Sequence, residues 1–308
     1  MKTKKRILVM GAAGFTGRAL CDHLEKTSGE NVQVVRASIS ARGDHRIVEY
    51  DGRSSAEVKH LFASVQPHQI YHLVGSYTGE YDTDYMSNVL CAKNVLDAVL
   101  TQRKEHPRVL VVGSAAAVGL VKRGDLPVKE SVALSPVTMY GLTKAAQALL
   151  ATSYFRMYQA DVVVARMFNI IGLGMSQQLF VGRLLAQVSS YMRGDITEIV
   201  MGNLKNKRDY LDIQDVVSAY DHVMNRGKSG EVYNVGSGKS ISSQALVDLF
   251  CKSFGIPKKV IKASDLPHWR SDLPDVRCSN GKLRALGWRQ TLTIEESVDA
   301  IRQAMLKG

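Results

Sequence analysis

The feature that most constrains this chain is a glycine-rich turn near its start. Gly11-Ala12-Ala13-Gly14-Phe15-Thr16-Gly17 follows the apolar run Arg6-Ile7-Leu8-Val9-Met10 and leads into helical spacing over residues 16–26. Glycines between a strand and a helix permit a tight turn and let backbone N–H groups come close to a pyrophosphate. The helix start adds further donors and a partial positive charge. Gly11, Ala13, Gly14, Phe15, Thr16 and Gly17 are therefore candidate ligands of a phosphorylated cofactor.

Similar apolar runs recur at residues 32–35, 69–74, 109–112 and 162–165, and helical spacing fills 56–64, 87–101 and 138–158. Alternation at this length predicts right-handed βαβ units and a parallel sheet covered on both faces. The expected fold is α/β, a Rossmann-type doubly wound parallel sheet with a smaller, interleaved C-terminal α/β substrate domain. Residues 1–170 are expected to form the dinucleotide-binding part, with segments near 208–235 returning to it, and 171–308 to be mainly the substrate domain.

At 308 residues and 45% hydrophobic, the chain can bury a large core. No run of about 18 apolar residues is present, so no membrane span is expected. The basic start Lys2-Thr3-Lys4-Lys5-Arg6 superficially resembles an export signal, but Gly11, Gly14, Gly17 and Arg18 cut its apolar stretch short. Cys21, Cys91, Cys251 and Cys278 are widely spaced, which suggests reduced thiols, a cytoplasmic setting and no metal site. A formal charge of +11 raises the question of nucleic acid. The positives are scattered, however, and a phosphorylated cofactor and substrate are served by the same field. Nucleic acid is not expected to be the principal partner.

Tyr140-Gly141-Leu142-Thr143-Lys144 places a tyrosine and a lysine four residues apart at the front of a helical pattern, on one face. An ammonium about 4 Å from a phenol, at an effective dielectric of about 20, favours the phenolate by about 4 kcal/mol, or roughly three pKa units. Lys144 is thus expected to activate Tyr140. Upstream, the fourth apolar run ends Val111-Val112-Gly113-Ser114, followed by Ala115-Ala116-Ala117.

The GxxGxxG turn, the upstream serine and the YxxxK pair resemble the short-chain dehydrogenase/reductase family, in particular its extended branch. The resemblance implies that Ser114 orients the reacting carbonyl, that Tyr140 exchanges its proton, and that Lys144 also holds the nicotinamide ribose. It further implies cofactor contacts from Asp51 and Gly52, from Leu73, Val74 and Gly75 after a strand-end His72, and from Asn88. Members preferring NAD carry an acid at the end of the second strand. Here Arg36, Ser38 and Arg42 stand in that region, so NADP(H) is favoured over NAD(H).

Similarity extends along nearly the whole chain. Arg166-Met167-Phe168-Asn169, Lys207-Arg208-Asp209-Tyr210, Gly230-Glu231-Val232-Tyr233-Asn234 and Trp269-Arg270-Ser271-Asp272 each match a family segment. They imply substrate contacts from Ser114, Asn169, Arg183, Arg208, Arg270 and Asp272. The carboxylate pair of the family's 4,6-dehydratases is replaced by Ala115-Ala116-Ala117, and no cysteine of the epimerising reductases is present. The resemblance then implies an NADPH-dependent reductase of a nucleotide-diphosphate 4-keto-6-deoxy sugar, working as a homodimer. A nucleotide-sugar C4 epimerase is the enzymatic alternative. A catalytically silent RNA-binding or redox-sensing protein on the same fold is the alternative of another class.

Overall fold

The computed structural model describes residues 4–102, 106–263 and 273–307. The chain runs β1 (Lys5–Met10), α1 (Phe15–Thr27), β2 (Val32–Ser38), β3 (Ile47–Glu49), α2 (Ser55–Val65) and β4 (Gln69–His72). It continues through α3 (Tyr81–Tyr85), a π-helical turn Met86–Leu90, α4 (Cys91–Leu100), β5 (Arg108–Ser114), α5 (Met139–Tyr158) and β6 (Val162–Met167). After α6 (Phe180–Arg193) and α7 (Ile213–Arg226), the strand Val232–Val235 pairs in parallel with β6.

These strands form one seven-stranded parallel sheet, ordered Val232–Val235, β6, β5, β4, β1, β2, β3. Successive side chains of a strand point to opposite faces. In β1, Ile7 and Val9 join the core under α1 and α7, whereas Leu8 and Met10 join the core under α2, α4 and α5. Both faces are covered, which is why the strand is apolar at every inner position.

A separate core gathers Leu184, Leu185 and Val188 of α6, Leu246, Val247 and Phe250 of α8 (Ser243–Phe254), and Val298 and Ile301 of the helix Ile294–Lys307. Short strands border it, Ile199–Met201 with Ile261–Ala263 and Asn169–Ile171 with Tyr210–Asp212.

The strand order reverses direction between β1 and β4, because the chain builds outward first to β2 and β3 and then back to β4. In open parallel sheets, a crevice for ligands opens at the carboxyl ends of the strands at such a point.

Candidate active site

The crevice is present at that switch point. Gly11 has φ +87°, and a Cβ there would stand 3.2 Å from the backbone of Leu73 and Val74. At Gly17 a Cβ would run into the Gly11 carbonyl, so glycine is required for α1 to start against the turn. Helix α1 opens at Gly14 with no side-chain cap and no acid in its first turn. Its first N–H groups and its positive end are available to an anion.

A cleft of about 270 Å³ lies against this turn. It is lined by Gly11, Ala13, Gly14, Ser38 and Arg42, and on the other side by Asp51, Gly52, Leu73, Val74 and Gly75, all expected from the sequence. Ile39, Ser40, Tyr50, Arg53, Ser87 and Cys91 also line it and were not expected. Tyr50 and Arg53 flank Asp51-Gly52 and could have been found by extending that pair. Cys91 comes from α4, and no local pattern marks it. Arg53 donates to the Asp51 carboxylate at 2.7–3.1 Å, which holds that carboxyl below its usual range. The glycine turn, the uncapped helix start and the cleft fit a dinucleotide held by these residues.

Five expected ligands, Phe15, Thr16, Gly17, Arg36 and Asn88, stand elsewhere. Arg36 is 3% exposed, donates to Glu25 and Asp22 at 2.8–3.1 Å and does not line the cleft. Alternation along β2 turns it towards α1, so Arg36 is corrected from a phosphate ligand to a buried ion-pair partner. Asn88 is fully buried and ties two elements together. Its amide donates to Ser76 O and Thr143 Oγ1, and its carbonyl accepts from Ser76 N. Phe15 packs on the Gly172 turn, where a Cβ would meet its ring at 2.8 Å. Thr16 and Gly17 lie behind it in the first turn of α1 and do not line the cleft.

Ser114, Tyr140 and Lys144 do not line this cleft but are gathered next to it, with Lys144 behind the cleft residue Gly75. Thr138 caps α5 by accepting from Gly141 N at 2.9 Å, which fixes where the helix starts. Gly141 is there because a Cβ would come within 2.5 Å of Ala116 O. The start of α5 thus lies directly on the turn Ala115–Ala117, and this contact brings Tyr140 to Ser114. The Ser114 hydroxyl accepts from Ala116 N at 3.1 Å and shares a hydrogen bond with Tyr140.

Burial raises the Tyr140 phenol, the Ser114 bond pulls it back, and nearby Asp84 and Tyr77 add a smaller upward push. Lys144 is 4% exposed, donates to Val112 O at 2.6 Å and to Gln147 Oε1, and is pushed down to about 7 by burial. The expectation that Lys144 lowers the phenol is therefore corrected. The ammonium is turned to the core side of α5, and burial governs both groups. A Cβ on Gly75 would stand 3.8 Å from Lys144 Nζ, so the lysine lies just beneath the cleft floor. His72, fully buried, is pushed down to about 3 by burial and by Lys144, and its ring is neutral at neutral pH.

The expected substrate residues other than Ser114 lie on the second half of the chain. Asn169 donates to Asp209 O at 3.2 Å, and Arg208 donates to the carbonyls of Lys207 and Leu273 at 2.8 and 2.6 Å. Asp209 itself is fully buried and accepts from Ser237 N, Ser237 Oγ, Gly238 N and Cys278 N, pinning three loops together. Arg183 is exposed on α6. Arg270 and Asp272 lie outside the described residues.

The parallel sheet with its switch-point cleft, and the Ser–Tyr–Lys group beside that cleft, define an extended short-chain dehydrogenase/reductase. Residues 7–236 match the model of the NAD dependent epimerase/dehydratase family, and the chain belongs to that family. It is 27% identical over 304 residues to GDP-6-deoxy-D-mannose reductase of Pseudomonas aeruginosa, covering 96% of each chain. It is 25% identical to dTDP-4-dehydro-6-deoxyglucose reductase of Escherichia coli, covering 97% of this chain and 96% of that one. Among solved structures, RMD from Pseudomonas aeruginosa complexed with NADPH superposes with a TM-score of 0.85 at 24% identity, over 99% of this chain and 100% of that one.

Proposed function

We propose that this chain is an NADPH-dependent reductase of a nucleotide-diphosphate 4-keto-6-deoxy sugar, of the GDP-4-dehydro-6-deoxy-mannose reductase kind. The observation that carries the proposal is the pairing of a protonated acid with the lack of a second one. Tyr140 is a buried phenol beside Ser114, and like any tyrosine it holds its proton at neutral pH, with burial raising its pKa further. The positions after Ser114 that would hold an elimination pair are alanines packed under α5. Such a site suits giving one proton to one oxygen, and it lacks the extra acid and base that loss of water requires.

A bound nicotinamide supplies the hydride. The chain's own part is to orient the carbonyl through the Ser114 hydroxyl and to donate the Tyr140 proton to the new alkoxide oxygen. Lys144, under the cleft floor, is suited to the nicotinamide ribose. Arg42, Ser38 and the neighbouring Ser40 and Arg53 are suited to a 2′-phosphate, which supports NADP(H) over NAD(H). Asn169, Arg183, Arg208, Arg270 and Asp272 are the proposed contacts to the nucleotide diphosphate, with residues 171–308 mainly the substrate side. The names of the two relatives support the reading, as does the NADPH in the solved relative. We place the enzyme in the cytoplasm. Among the described residues, no helix is long and apolar enough to cross a membrane.

The test is incubation with NADPH or NADH and either GDP- or dTDP-linked 4-keto-6-deoxyhexose, following nicotinamide absorbance and product. Stoichiometric oxidation, faster with NADPH, is the expected result. Conversion to an epimer without net oxidation would transfer the chain to the epimerases. Tightly retained RNA with no turnover on either sugar would remove it from the enzymes.

A further inference from the structure

Loop 76–79 leaves β4 at the cleft and is gripped by two fully buried polar side chains. Asp84 accepts from Ser76 Oγ at 2.8 Å, Thr78 N at 2.9 Å, Thr78 Oγ1 at 3.0 Å and Gly79 N at 3.2 Å. Asn88 holds the residue before Tyr77, bonding both the N–H and the carbonyl of Ser76. Gly79, at φ +85°, lets the loop turn tightly enough to present several donors to one carboxylate. A buried carboxylate with this many partners is an expensive arrangement for a surface loop, and it fixes the backbone on either side of a single residue, Tyr77.

The Tyr77 ring is 49% exposed, although its backbone is immobilised on both sides. It meets the Tyr140 ring edge-on, with centroids 4.9 Å apart and planes at 82°. An apolar face is thereby held open to solvent beside the acid of the site. The hydrogens of a sugar ring present a weakly positive apolar face, which stacks on an aromatic ring with its negative π surface. We propose that Tyr77 is a substrate-positioning residue, its ring being the wall on which the hexose of a nucleotide-linked sugar rests so that the reacting oxygen faces Tyr140 and Ser114. This rests on the reading that the site takes such a sugar. Asp84 acts through Tyr77 by fixing its loop. Contact with Tyr77 also shields the phenol from water, in keeping with the upward push on Tyr140.

The test compares calorimetric affinities for matched pairs, GDP with GDP-mannose, UDP with UDP-glucose and dTDP with dTDP-glucose, using the pair that binds the unmodified protein. Tyr77→Ala should weaken the nucleotide-hexose by about tenfold and leave the nucleotide diphosphate alone within about twofold. Tyr77→Phe, which keeps the ring, should recover the nucleotide-hexose to within about threefold. Asp84→Asn, which keeps Tyr77 but loosens its loop, should show the same sugar-specific loss. Independently of any substrate, the phenolate absorbance lost in Tyr140→Phe should titrate at lower pH in Tyr77→Ala. Equal weakening of both ligands, or no weakening in a protein with unchanged melting, overturns the proposal. Binding without reduction of any keto-sugar would remove the reductase reading and leave the Tyr77 assignment standing. Failure of all three pairs to bind would remove both.

Discussion

Tyr140 and Lys144 are both governed by burial, and their two shifts make different predictions. The raised phenol is a stored proton, so Tyr140→Phe should lower kcat by about 10²–10⁴-fold while cofactor affinity changes little. Steady-state kinetics with a fluorescence titration of NADPH would check both parts. Ser114→Ala should do less, because Ser114 supplies one hydrogen bond to the oxygen and no proton. Lys144 sits at about 7 in the folded chain against 10.5 for a free lysine. Between these values the unfolded chain carries the proton and the folded one does not, so stability should rise as pH climbs from about 7 towards 10.5. Urea unfolding across that range should show this rise in the unmodified protein and lack it in Lys144→Met. A flat difference between the two would show that the ammonium is not buried as described. The arginines of the second strand divide in the same manner. Arg42→Ala should narrow the preference for NADPH over NADH in binding titrations. Arg36→Ala should instead lower stability, since it removes the ion pairs to Asp22 and Glu25 and empties a buried site.

Helix α5 shows what the chain's patterns reveal and what they hide. Its span, its serine partner and its Tyr–Lys pair are readable, since apolar periodicity and a fixed spacing of four are local properties. The reason for Gly141 is not, because it depends on where Ala116 O lies in the folded chain. Gly141→Ala would press a methyl group against a backbone carbonyl that has little freedom to retreat. We expect a loss of about 1–3 kcal/mol in thermal or urea unfolding, with kcat falling more than stability alone explains, because the same contact sets the Ser114–Tyr140 distance. Arg36 was misread for a related reason. Residues 32–35 look like the whole strand although β2 continues to Ser38, so Arg36 is a strand residue with a fixed face towards α1 and not part of the loop at the cleft. The short α3 left no periodic mark, since Tyr81–Tyr85 carries no apolar stripe, and the helical spacing over 87–101 did not separate the π-turn Met86–Leu90 from the helix that follows it. The cage around Tyr77 was hidden with them.

Across the whole molecule, the parallel sheet followed from strand–helix alternation and the cofactor turn from its glycine spacing, whereas assembly depends on which side chains the fold leaves exposed. Met139, Leu142, Leu149 and Met157 of α5 are 45–59% exposed, and at about 100° per residue they fall within one stripe of the helix. Met86, 39% exposed, lies in the π-turn that packs against the same helix. A row of large apolar side chains left open along a 20-residue helix is uncommon on a monomer and marks a surface for association. A two-fold contact would set this stripe against its own copy, because a symmetric interface uses one patch twice. We propose that the protein is a homodimer through this face. Light scattering at micromolar concentration should give twice the chain mass. Leu149→Glu, which places two charges against each other across the axis, should give a monomer that still folds, since in an isolated chain position 149 faces water. A dimer of unchanged affinity in Leu149→Glu would move the contact to another surface, and a monomeric unmodified protein would end the proposal.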